Sequence, residues 1–149
     1  MKQKDKFRYA EKCLYEYKRN MACLEILRED LRVEQAGTDV HVQNYQYTID
    51  FTGKVSNPVQ ARVVKIEQLE ERIRKLERWT KPITQLQKDL TSAESLDTSR
   101  NKELHEVMKL MYFGKNPPDA IIEELKIARR TFYNRRRELV YTAISYLAL

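Results

Sequence analysis

The side chains best suited to chemistry in this 149-residue chain crowd into Lys126 to Arg137, KIARRTFYNRRR. The stretch holds Lys126, Arg129, Arg130, Arg135, Arg136 and Arg137 with no acidic residue between them. A guanidinium can make paired hydrogen bonds to guanine O6 and N7, and the carboxamide of a residue such as Asn134 can do the same to adenine N6 and N7. At 100° per residue, with Phe132 placed inward, Arg130, Tyr133, Asn134 and Arg137 fall on or beside the opposite face. Arg135 and Arg136 lie towards the flanks, where a cation suits phosphate better than a base edge.

Charge is distributed accordingly. The formal net charge is +6. Residues 1–57 carry 10 basic against 9 acidic residues and residues 58–98 carry 8 against 7, so the excess sits at the C-terminal end. A basic face there can meet phosphates.

Catalysis has little to stand on. His41 and His105 are the two histidines, and His105-Glu106 is followed by Val107-Met108-Lys109, so the second histidine of an HExxH zinc site is absent. No glycine-rich phosphate loop, zinc-spaced cysteine pair or nucleophile elbow occurs. Cys13 and Cys23 sit ten residues apart in a helical pattern, roughly 15 Å by helical rise, and cannot bridge each other. Neither enzyme activity, metal nor cofactor is expected. The charged N-terminus MKQKDKFRYAEK lacks the apolar core of a signal peptide, and no run reaches membrane-spanning length, so a soluble cytoplasmic protein is expected.

Helices must position the basic stretch. Only 3 Gly and 4 Pro interrupt the chain, which disfavours a sheet built on frequent turns. Phe7, Ala10, Leu14, Tyr17, Met21, Leu24 and Leu31 recur at spacings of three and four, a seam interrupted at Arg28. A break is expected at Ala36-Gly37-Thr38-Asp39, followed by a short extended piece in which Tyr45, Tyr47, Ile49 and Phe51 alternate with polar residues. Asn57 can cap a second long helix with Pro58 at its first position. Ile66, Leu69, Ile73, Leu76, Ile83 and Leu90 form its seam, with Thr80 the weak step, and Pro82 is expected to kink or divide it. Two such seams can fold back as an antiparallel hairpin or pair with a second chain. A two-helix unit is a thin core by itself, so a homodimer is expected.

TSAESLDTS, residues 91–99, marks a boundary, with Thr98 or Ser99 able to cap the next helix. Leu104, Val107, Met108, Met111 and Tyr112 or Phe113 share one face, and Gly114 ends that helix. Asn116 can cap a short helix with Pro117 at its first position, and Ile121, Ile122 and Leu125 face inward. Lys126-Ile127-Ala128 then form a turn before a last helix that runs from about Arg129 towards Leu147 and buries Phe132, Leu139 and Ala143. Short helix, tight turn and basic helix are the outline of a helix-turn-helix, whose second helix points its N-terminal end, here Arg129, into the major groove. The expected fold class is mainly α: a long coiled-coil-like helical hairpin over residues 1–98, with a connector at 35–57, and a helix-turn-helix module over 99–149.

This last module resembles the region-4-type helix-turn-helix of sigma factors in Ile121, Glu123, Leu125, Ile127, Thr131, Phe132, Tyr133 and Arg136. Lys126 stands where that pattern usually has Gly, Ala128 where it usually has a capping Ser, and Ile122 replaces a small residue. The wider layout, with DFTGKVSNPVQARVVKIEQLEERIRKLER ahead of the module, resembles phage transcriptional regulators of the ArpU and RinA type over about residues 48–145. The resemblance implies double-stranded DNA as partner and activation of late packaging and morphogenesis genes. Whether host RNA polymerase is a further, direct partner the sequence leaves open. The candidate DNA-contacting set is Lys126, Arg129, Arg130, Thr131, Tyr133, Asn134, Arg135, Arg136 and Arg137. A phage small terminase subunit combines the same parts for DNA packaging. A helical adaptor for RNA polymerase is a third reading of the arginine helix.

Overall fold

The computed structural model describes residues 1–45, 58–92 and 98–149. The fold is mainly α with a long helical hairpin, and no strand occurs among the described residues. α1 is Gln3–Tyr45, α2 Pro58–Thr91, α3 Thr98–Val107, α4 Pro118–Leu125 and α5 Arg129–Tyr146. A π-helical segment, Met108–Phe113, continues α3. The chain divides into two compact units: Met1–Asn20 together with Arg78–Leu149, and Met21–Glu77. The boundary read from sequence, near residue 98, does not coincide with this division.

In the unit Met21–Glu77, Leu24 and Leu27 of α1 pack on Leu69 and Ile73 of α2, with Met21, Leu31 and Leu76 alongside. The two stretches run antiparallel: Arg28 pairs with Glu77 at 3.0 Å, and Glu34 further along α1 pairs with Lys65 at 2.8 Å, earlier in α2. The Lys65 hydrogen bond holds the Glu34 carboxyl below its ordinary range. Leu27 takes the inward place that the heptad assigned to Arg28, which is exposed.

The break expected at Ala36–Asp39 does not occur, since α1 continues to Tyr45. Glycine costs a helix interior ~1 kcal/mol against alanine. Here packing overrides that cost. A Cβ built on Gly37 would stand 2.7 Å from Nη1 of Arg62, the far end of a flexible side chain that α2 lays against this part of α1. The tyrosine-rich extended piece from residue 46 on, and the Asn57 cap, lie outside the described residues. α2 does begin at Pro58.

In the other unit, the inward residues of α1 are Ala10, Cys13, Leu14 and Tyr17. Burial pushes the Cys13 thiol up to about 11, while Cys23 is exposed, and both are free. Pro82 lies inside α2 without dividing it. It removes one backbone N–H and crowds the carbonyl four residues back, yet Thr80 is 1 % exposed and Ile83 fully buried, so packing on both sides holds the helix. The Thr80 backbone carbonyl accepts from the Thr84 hydroxyl at 3.0 Å, and that hydroxyl oxygen lies 2.7 Å from the Tyr17 hydroxyl. Leu86, unmarked in the heptad, is buried with Ile83 and Leu90.

The π-helical segment has no sequence signature. Its wider turn bonds residues five apart, as in Gly114 N–H to the Lys109 carbonyl at 2.9 Å. Met108, Met111 and Tyr112 are buried, the face that their spacing of three and four already predicts. Gly114 ends the segment, but for a reason other than a left-handed backbone: its φ is -87°, and Lys115 takes the left-handed step at 57°. Glycine is needed because a Cβ would meet the Asn116 amide nitrogen at 2.9 Å and the Leu110 carbonyl at 3.0 Å. Asn116 therefore closes the preceding helix, donating to Leu110 O at 3.0 Å, and does not cap α4. Pro117 occupies that cap position, and Pro118 is the first helical residue.

Candidate nucleic-acid interface

α4 is eight residues long and pins itself through Ile121, which is fully buried. It stops at Lys126, whose backbone is left-handed at φ 54°, ψ 44°. The Ile127 N–H reaches back to the Ile122 carbonyl at 3.3 Å, a six-residue closure onto an oxygen that also accepts the Lys126 N–H. Ala128 is extended at φ -69°, ψ 148° and is the N-cap of α5, with no side-chain cap bond. Phe132 N–H bonds to its carbonyl at 3.0 Å and starts the helix. The turn thus lies at Lys126–Ala128, with neither residue of the types that best suit these positions.

α5 buries Phe132, Leu139, Val140, Ala143 and Ile144. Their burial turns Arg130, Tyr133, Asn134 and Arg137 outward, and all four are exposed, as are Arg129 and Lys126. Tyr133 leans edge-on against Phe132, ring centroids 5.1 Å apart, which steadies it on the surface. Arg129 reaches Asp119 of α4 at 2.5 Å, but both side chains are more than 60 % exposed, so solvent screens the pair and it can exchange for another anion. Among the described residues, Lys126, Arg130 and Arg137 have no carboxylate partner. Thr131 is half-buried in the first turn.

Arg135 and Arg136 are placed differently. Arg135 Nε donates to Glu103 of α3 at 2.5 Å, and Nη1 lies 3.4 Å from Glu138, a carboxylate that also holds Arg100. Arg136 donates through Nε and Nη2, at 2.9 and 2.7 Å, to one oxygen of Glu11 on α1. The same oxygen accepts the Tyr112 hydroxyl at 2.9 Å. Burial and the Glu11 charge push the Tyr112 phenol far above its ordinary range, so it stays a donor. The structure therefore separates the candidate set. Lys126, Arg129, Arg130, Tyr133, Asn134 and Arg137 form an outward strip, with Thr131 at its edge, while Arg135 and Arg136 bind carboxylates of the fold itself. Glu138 stands three residues from Arg135, a spacing readable on a helix, but Glu103 and Glu11 carried no local sign of this role, being 32 and 125 residues from their arginines.

Among the described residues, no group of three or more His, Cys, Asp or Glu side chains could hold a metal ion. No helix among them is long and apolar enough to cross a membrane.

A family model described as a protein of unknown function (DUF1492) matches residues 62–147, more than half of the chain. The match takes in α3, the π-helical segment, α4 and α5 in full. No curated protein and no solved structure matches the chain.

Proposed function

The chain belongs to this family of unknown function (DUF1492), which is common among phage proteins, and from that premise we propose that it is a sequence-specific DNA-binding transcriptional regulator. It acts in the cytoplasm of a bacterial host as an activator of phage late genes. The finer likeness to regulators of the ArpU and RinA type rests on the residues quoted from the sequence.

One observation carries the reading: behind a left-handed turn, α5 presents Arg130, Asn134 and Arg137 on one exposed strip, with neither arginine neutralised by a carboxylate among the described residues. An ordinary solvated helix face alternates signs. This face presents cations and a carboxamide, the groups that read guanine and adenine edges. A homodimer would present two such strips to two half-sites.

The test is selection of bound duplexes from a random library by the full-length protein, followed by binding of Arg130→Ala and Asn134→Ala variants. An enriched motif is expected, with each substitution costing ~1–3 kcal/mol on the selected site and relaxing one position of it. Equal losses on selected and random duplexes would overturn direct base reading. No duplex binding at low salt would overturn DNA binding and favour a polymerase adaptor, and a ring of many subunits in solution would favour a packaging role.

A further inference from the structure

The exposed strip of α5 does not stop at Arg137. Tyr141, one turn further, is 42 % exposed and stands in an open groove of about 460 Å³. Lys4, Phe7, Arg8 and Glu11 of α1 line this groove together with Arg136 and Tyr141 of α5. Its floor is already packed. Phe7 and Tyr141 meet edge to face at 5.6 Å, and the Arg136 guanidinium lies over the Phe7 ring at 5.7 Å. Glu11, the acidic residue of the lining, is committed to Arg136 and Tyr112. Lys4 and Arg8 remain. They are four residues apart and so share one face of α1. Both are exposed, and neither has a carboxylate partner among the described residues.

We propose that Lys4 and Arg8 grip the phosphodiester backbone of duplex DNA beyond the base pairs that α5 reads. This rests on the DNA-binding reading above and extends its footprint to the first turns of α1. The arrangement argues for a polyanion. Eleven residues of helix separate Arg130 from Tyr141, about 16 Å along α5, and Lys4 and Arg8 continue the series from a second helix. Duplex DNA offers one charge per ~1.7 Å of axis, so a spread series of cations finds partners along its whole length. A compact anion would need the same cations to converge on one point. Arg136 covers the Phe7 ring, so the aromatic pair serves as floor and not as a stacking platform for bases.

The experiment compares the full-length protein with a Lys4→Gln/Arg8→Gln double variant, on a selected duplex and on a random duplex of equal length, over a series of salt concentrations. Circular dichroism checks that both fold alike. The expected result is a salt slope shallower by about two, a similar loss of affinity on both duplexes, and an unchanged selected motif, because phosphate contacts carry no sequence. Shortening the duplex at its outer edge should weaken the parent protein and leave the double variant nearly unaffected. If the parent binds duplex and the double variant keeps its slope and affinity, this inference fails while DNA reading by α5 stands. If the double variant loses affinity for polyglutamate but not for DNA, the groove belongs to an acidic protein partner and the inference fails likewise. If the parent binds no duplex at low salt, both fall together.

Discussion

The two faces of α5 use the same side chain for opposite ends. Arg136 and Arg137 are neighbours in sequence, 100° apart on the helix. Arg136 is held by two donations to Glu11 and covers Phe7, whereas Arg137 stands exposed with no carboxylate partner among the described residues. Arg135 and Arg130 repeat the contrast, the first bound to Glu103 and the second outward. A run of arginines is therefore not one functional unit. Where the fold supplies a carboxylate, the guanidinium becomes structure. Where it supplies none, the guanidinium stands in solvent, and the DNA-binding role proposed above is what would employ it.

Four substitutions would break or sharpen this division. The largest effect is expected on the fully buried side: Phe132→Ala should cost ~4 kcal/mol in urea unfolding, because the ring leaves a cavity between α5 and its neighbours. A loss under ~1 kcal/mol would mean that the inward face is not the anchor of α5. Next, Arg136→Ala should cost ~2 kcal/mol, the scale of charge-assisted hydrogen bonds lost from a half-buried carboxylate. The same variant should speed alkylation of Cys13, buried and with its thiol pushed up to about 11, relative to exposed Cys23. Unchanged labelling of Cys13 would show that Arg136 does not hold α1 in place.

Smaller effects are expected at the turn. Lys126→Gly should stabilise the protein by up to ~1 kcal/mol by relieving a left-handed non-glycine residue. Destabilisation would mean that the lysine side chain contributes more than its backbone costs. The smallest effect on stability belongs to Arg137→Ala, within ~0.5 kcal/mol of the parent protein. That substitution should nevertheless lower the salt slope of DNA binding by about one. An Arg137 variant that unfolds early, or an Arg136 variant that does not, would erase the distinction between the two faces.

Much of this was legible in the sequence where a local rule has a local cause. The inward positions Leu14, Tyr17, Leu69 and Ile73 followed from heptad spacing, Pro58 announced the start of α2, and Phe132, Leu139 and Ala143 announced the face of α5. The rest depended on distant partners. Gly37 looks like a helix stop until Arg62 is seen lying over it. Asn116 looks like a cap for the next helix until its amide is found on Leu110. Arg135 and Arg136 look like phosphate ligands because the carboxylates that take them sit on other helices. The π-helical segment left no signal in composition, since Met, Leu, Tyr and Phe suit an α-helix as well.

The pairing of Glu11 with Arg136 also sets an order of events during synthesis. A ribosome adds about 5–20 residues per second, so Glu11 leaves the exit tunnel on the order of 10 s before its partner exists. Residues 21–77 can close on themselves in that interval, because both halves of their seam have already emerged. Residues 1–20 cannot, since the chain that buries Ala10, Leu14 and Tyr17 begins at Arg78 and includes the last helix. For those seconds the apolar positions of residues 1–20 wait without the chain that buries them in the folded protein.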